Sequence, residues 1–229
     1  MTELIVAMDV DALQDALHLA DRLGPEVTWV KIGKQLFTRY GPDAVRAMNE
    51  RGKKVFLDLK YHDIPNTVAE AVRAAGGIGA AMTNVHASGG PAMLRAAADA
   101  AGDSDLLVIA VTVLTSLGEA DLQAVGVDST PGDQVVRLAT LTKQCGVPGV
   151  VCSALEIERL REACGPDFVL VVPGIRPSGS SRDDQKRVMT PAQAAKAGAD
   201  YIVVGRPIRQ APDPREAAQR VLAELRGEI

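Results

Sequence analysis

Leu106-Leu-Val-Ile-Ala-Val-Thr-Val-Leu114 is the longest apolar run in the chain, and it is apolar on successive residues rather than alternate ones. A strand with one wet face alternates, whereas a strand covered on both faces does not, so this texture points to a parallel sheet flanked by helices. The same texture recurs outward in both directions, at Leu4 to Val10, Val27 to Gly33, Val55 to Tyr61, Ala81 to Ala87, Gly149 to Ala154, Phe168 to Ile175 and Tyr201 to Ile208. The segments between carry helical periodicity, for example Leu13, Ala16, Leu17 and Ala20, or Val135, Leu138 and Ala139. Gly24-Pro25, Arg51-Gly52, Gly76-Gly77, Gly102 and Gly198 fall where helices should stop. Gly76-Gly-Ile-Gly79 precedes a strand, whereas a dinucleotide loop follows one, so it reads as a helix end. Eight strand-helix units predict an α/β fold of the (β/α)8 TIM-barrel class, with a doubly wound open sheet as the alternative.

The 229 residues, 47% apolar and 24% charged, suit one domain over 1–229. Lys+Arg 25 against Asp+Glu 29 gives a net charge of -4, which argues against a general nucleic-acid or anionic-membrane binder. No run reaches the length of a membrane helix, and Met1-Thr2-Glu3 opens directly into Leu4-Ile-Val without a signal pattern, so a cytoplasmic protein is expected. Cys145, Cys152 and Cys164 lack paired spacing and read as buried thiols, and His18, His62 and His86 are too scattered for a histidine metal site. His18 reads as a surface or packing residue, Trp29 as core, and Arg215 to Glu228 as a solvated helix face.

Barrels place their sites at the C-terminal ends of the strands, so polar strand ends are the candidates. They are Asp9, Lys31, Asp58-Leu-Lys60, Asn84 with His86, and Thr112 with Thr115. A period of two puts Asp58 and Lys60 on one face, and Asp63 follows in D-L-K-Y-H-D, flanking the lysine with carboxylates that would hold it charged. By itself this spacing fits a structural ion-pair network as well as catalysis, and Lys31 on the neighbouring strand shifts the balance. Pro173-Gly-Ile-Arg176 and Gly205-Arg206-Pro207 sit where many barrels hold a phosphate, which makes a phosphorylated small molecule the leading ligand class. The polar stretch from Arg176 to Thr190 lies between them and reads as a lid.

Taken with Ala7-Met-Asp-Val10, Lys31-Ile-Gly33, Val172-Pro-Gly-Ile-Arg-Pro177, Asp184-Gln-Lys-Arg187 and Ile202-Val-Val-Gly-Arg-Pro-Ile208, the stretch Asp58-Leu-Lys-Tyr-His-Asp-Ile-Pro-Asn-Thr67 resembles the orotidine 5'-phosphate decarboxylase family of bacterial type. The resemblance covers essentially the whole chain. It implies conversion of orotidine 5'-phosphate to uridine 5'-phosphate and CO2, the last step of de novo pyrimidine nucleotide synthesis, with no cofactor and no metal. It further implies that Lys60 protonates C6, that Asp58 lies beside the departing carboxylate, and that Asp63 completes an array with Lys31 and Lys60. Asp63 and Thr67 would reach the neighbouring site of a homodimer, with Ile64 between them at the substrate. Asp9 and Lys31 would contact the ribose, Thr115 or Ser116 the pyrimidine edge, and Pro173, Arg176, Gln185, Gly205 and Arg206 the phosphate side. Related magnesium-dependent barrels acting on phosphosugars share D-x-K-x-x-D but need a carboxylate where this chain has Lys31, a cation that offers no ligand oxygen.

Overall fold

The inward and outward faces of eight short strands give this chain its two cores. A computed structural model describes residues 1–102, 104–177 and 189–229. The strands are β1 (Glu3–Ala7), β2 (Trp29–Gly33), β3 (Lys54–Tyr61), β4 (Met82–His86), β5 (Leu107–Val111), β6 (Gly149–Val151), β7 (Val169–Pro173) and β8 (Tyr201–Val204). All pair in parallel with their sequence neighbours, and β8 returns to β1 in the register Leu4↔Ile202 and Val6↔Val204, which closes the barrel and excludes the open sheet. The helices are α1 (Leu13–Leu23), α2 (Lys34–Tyr40), α3 (Pro42–Asn49), α4 (Pro65–Gly77), α5 (Gly90–Ala101), α6 (Glu119–Ala124), α7 (Pro131–Gln144), α8 (Ile157–Cys164), α9 (Pro191–Ala197), α10 (Arg206–Arg209) and α11 (Pro214–Arg226). None of them is long and apolar enough to cross a membrane.

Residues such as Val6, Val30, Leu57, Val85, Val108, Leu170 and Ile202 face outward and share one core with the helices. Ile5, Trp29, Phe56, Met82, Ile109, Val171 and Val203 face inward and plug the barrel. At its lower end the Trp29 and Tyr201 rings meet edge to face at 5.4 Å, and Trp29 Nε1 donates to Glu3 Oε2 at 3.0 Å, which satisfies the buried indole. Two residues further along, the same inward parity carries Trp29 to Lys31, Phe56 to Asp58 and Met82 to Asn84. The apolar plug is thus the floor on which a polar layer stands.

Gly149 opens β6 against β7, where an added Cβ would lie 2.5 Å from the Val169 carbonyl oxygen and 2.6 Å from its Cβ. Backbone on a neighbouring barrel strand has little room to retreat. Gly149→Ala should therefore destabilise by about 2 kcal/mol and lower the thermal midpoint by roughly 5 °C, as checked by calorimetry.

All eight expected strands are present, seven with shorter ends and β3 one residue longer at its start, from Lys54. β1 stops at Ala7, before Asp9; β5 stops at Val111, where Thr112 turns its hydroxyl to the Val151 carbonyl at 2.9 Å; and β8 stops at Val204, after which Arg206–Arg209 is helical. The expected helix stop at Gly76-Gly77 is met: α4 ends at Gly77, and Gly79 at φ 90° makes the left-handed turn that follows. The α11 face is not wholly solvated either, since Glu224 is buried. His18 is exposed on α1 and Trp29 is core, as expected, and Cys145, Cys152 and Cys164 are free and buried.

Candidate active site

The polar layer lies at the C-terminal ends of β1 to β4. Lys31 Nζ donates to Asp9 Oδ1 at 3.0 Å and stands 3.4 Å from Asp58 Oδ2. Lys60 Nζ donates to the other oxygen, Asp58 Oδ1, at 2.5 Å, and Asn84 Nδ2 donates to that same oxygen at 2.8 Å. Asp58 and Lys31 side chains are each 12% exposed, so these charges meet largely out of water. Burial opposes ionisation of both groups, and the partners outweigh it. Asp58 is held below the usual carboxylate range by Lys31 and Lys60, and Lys31 is held above the usual lysine range by Asp58 and Asp9.

Asp58 and Lys60 come together as the sequence predicts, but not through a regular period of two. The β3–β4 register shifts between Leu57 and Tyr61, and Lys60 sits at φ 55°, the sole non-glycine residue with positive φ among the described residues. A bulge therefore aims the lysine, and such a conformation persists only where its surroundings fix it.

Lys31, Asp58 and Lys60 open onto a cavity of about 200 Å³. Its wall includes Thr115, Leu114, Val151, Cys152, Pro173 and Val203, so one side is charged and the other largely apolar. A flat, partly polar ring presenting one edge to the charges suits that division. Cys152 in this wall is buried, and that burial pushes its thiol up, away from the thiolate form. His86, at the end of β4, lies with its ring 5.5 Å from that of exposed His62, and burial, then His62 and Lys60, pull its pKa down.

Other expected site residues stand apart from this cluster. Asp63 is exposed, and its Oδ1 accepts from the Ile64 N–H at 2.6 Å; it makes no ion pair with Lys60 or Lys31 inside the chain. Ile64 is 67% exposed, and Thr67 is exposed on the first turn of α4. Arg176 is buried after β7, its Nη1 donating to the Ile175 carbonyl, while Gly205 and Arg206 begin α10 after β8; none of the three lines the cavity around Lys60. Gln185 and most of the expected lid lie outside the described residues. Asn84 reads in the sequence as a polar strand end without a role of its own; its spacing two residues after inward-facing Met82 is the signal that puts it in this layer.

The pattern of the Orotidine 5'-phosphate decarboxylase / HUMPS family matches residues 2–221. A protein of Vibrio cholerae serotype O1 described as orotidine 5'-phosphate decarboxylase is 51% identical over 226 residues, 97% of this chain and 98% of that one. This chain belongs to the orotidine 5'-phosphate decarboxylase family. A solved orotidine 5'-phosphate decarboxylase from Lactobacillus acidophilus is 38% identical with a TM-score of 0.88, covering 98% of this chain and 99% of that one. An uncharacterised conserved protein from Geobacillus kaustophilus, 36% identical, has a TM-score of 0.84 over 97% of this chain and 99% of that one. The family thus accounts for the barrel.

The depressed Asp58 carboxyl also links the site to stability. A carboxylate whose folded pKa lies below its unfolded value contributes stability above the unfolded pKa, and loses it as pH falls through the folded one. In urea, the stability gap between the native chain and Asp58→Asn should be widest near neutrality. It should narrow as pH drops below about 4, the ordinary carboxylate value. A gap of constant size would show that Asp58 gains nothing from its lysines.

Proposed function

We propose that the chain decarboxylates orotidine 5'-phosphate to uridine 5'-phosphate and CO2 without a cofactor, with Lys60 as the proton donor. The carrying observation is the Lys60 ammonium, paired with Asp58 at the edge of a cavity sized for a small ring. In the reaction the bond from C6 to the carboxylate breaks, its electron pair stays on C6, and CO2 leaves. The proton moves from Lys60 Nζ to C6, and solvent returns one to the amine. Carbanion character at C6 is stabilised by the fixed ammonium before the transfer, in surroundings where charge is weakly screened. Asp58 keeps that ammonium at the reaction centre, and its own charge disfavours the substrate carboxylate there. Lys31, itself paired with Asp9, holds Asp58's far side, and Lys31 and Asp9 offer a donor and an acceptor to the ribose hydroxyls. Arg176, Gly205 and Arg206 serve the phosphate, whose remote binding assembles the site.

The active species is a homodimer in which Asp63, Ile64 and Thr67 complete the neighbouring site. Two features support this: an exposed isoleucine in the segment that opens α4, and a carboxylate beside it with no lysine partner among the described residues. Nucleotide synthesis places the work in the cytoplasm.

The test is to mix the purified protein with orotidine 5'-phosphate and EDTA and follow the ultraviolet change as orotate becomes uracil. Rapid, chelator-resistant conversion is expected. Inactivity restored by magnesium with a phosphosugar would overturn the reading, although Lys31, held as an ammonium between two carboxylates, is a poor magnesium ligand.

A further inference from the structure

Asn84 is fully buried on β4 and carries no charge, yet both ends of its amide are engaged with the reacting pair. Its Oδ1 accepts the backbone N–H of Lys60 at 2.7 Å, and its Nδ2 donates to Asp58 Oδ1 at 2.8 Å. The orientation is dictated by the partners, since the reverse would set an NH2 against an N–H donor and a carbonyl oxygen against a carboxylate. The first contact falls where the β3–β4 register breaks, between Leu57↔Thr83 and Tyr61↔Val85, and at the residue held at φ 55°. The Asn84 side chain thus supplies an acceptor at the break in the ladder. The second contact fixes the rotation of Asp58, so that Oδ1 meets Lys60 and Oδ2 meets Lys31.

We propose that Asn84 is a positioning residue for the proton transfer: it holds the β3 bulge on the left-handed backbone of Lys60, pins Asp58 Oδ1, and so sets where the Lys60 ammonium stands. The inference rests on Lys60 being the proton donor. Asn84 touches no reacting atom and acts through Lys60 and Asp58.

Two variants separate this role from simple packing. Asn84→Ala removes both contacts. Asn84→Asp keeps the shape, but ionised it repels Asp58, whereas protonated it donates an O–H as the amide does. The charged and titratable groups around this position are Asp58 and Lys60 on β3, Lys31 on β2 and His86 along β4. The measurements are kcat and KM for orotidine 5'-phosphate and Kd for uridine 5'-phosphate, between about pH 5 and pH 8, beside the native chain and Lys60→Ala. Asn84→Ala should lose about 100-fold in kcat, the cost of a small misplacement, with product affinity held within about threefold. Asn84→Asp should lose as much near pH 8 and regain about tenfold relative to the native chain as the pH falls to about 5. Native-like kcat in either folded variant, a loss confined to product affinity, or a pH-independent ratio for Asn84→Asp would each overturn the proposal. If Asn84→Ala does not fold, the Asn84→Asp ratio decides alone. An inactive native chain would overturn the proposed function and this inference with it, whereas an active native chain with unaffected variants would overturn this inference only.

Discussion

Lys60→Ala should lower kcat by at least about 10,000-fold while leaving uridine 5'-phosphate bound within a few-fold of the native affinity. In the proposed mechanism the lysine supplies both the positive field at C6 and the proton that ends the reaction, and the remaining groups supply neither there. Asp58 loses its 2.5 Å partner, and Lys31 addresses the opposite oxygen. Lys60→Arg separates the two contributions, because a guanidinium keeps the charge but does not release its proton near neutrality. It should be nearly as inactive as the alanine variant. The ultraviolet assay gives turnover and calorimetry gives product affinity. Substantial activity in either variant would move the proton donor elsewhere.

Asp63→Ala should also be crippled, by about 100-fold or more, and its partnership with Lys60→Ala tests the dimer directly. When a homodimer shares its sites, a mixed dimer of the two variants contains one site lacking both groups and one site entirely native. Random mixing makes half the dimers mixed, so about a quarter of native activity should return from two nearly inactive preparations. If Asp63 instead served its own chain, every site would keep one defect and mixing would restore nothing. The exposed position of Asp63, hydrogen-bonded only to the neighbouring Ile64 N–H among the described contacts, accords with the first outcome.

The barrel was legible because its strands are apolar on both faces, and the outer and inner cores both leave their mark on residues such as Val6 with Ile5 or Leu57 with Phe56. Lys31 and Asp58 were legible for the opposite reason, as charges that an apolar strand does not carry without a partner. The bulge at Lys60 left no such mark. It arises from a register shift against β4 and an acceptor on Asn84, which no property of Lys60's own neighbours in sequence announces. Asp63 is a second case, since in the proposed homodimer its partners would belong to a second chain.

The charged array draws on β1 to β4, between Asp9 and Asn84, whereas the candidate phosphate residues follow β7 and β8 on the other half of the ring. On the proposed roles, bond-breaking and anchoring are thus encoded in separate stretches of the gene. An ancestor could exchange Lys31 or Asn84 for other side chains, and with them its reaction, while inheriting an untouched handle for phosphorylated molecules. That modularity gives one lineage of barrels a physical route to several chemistries on ligands that share a phosphate.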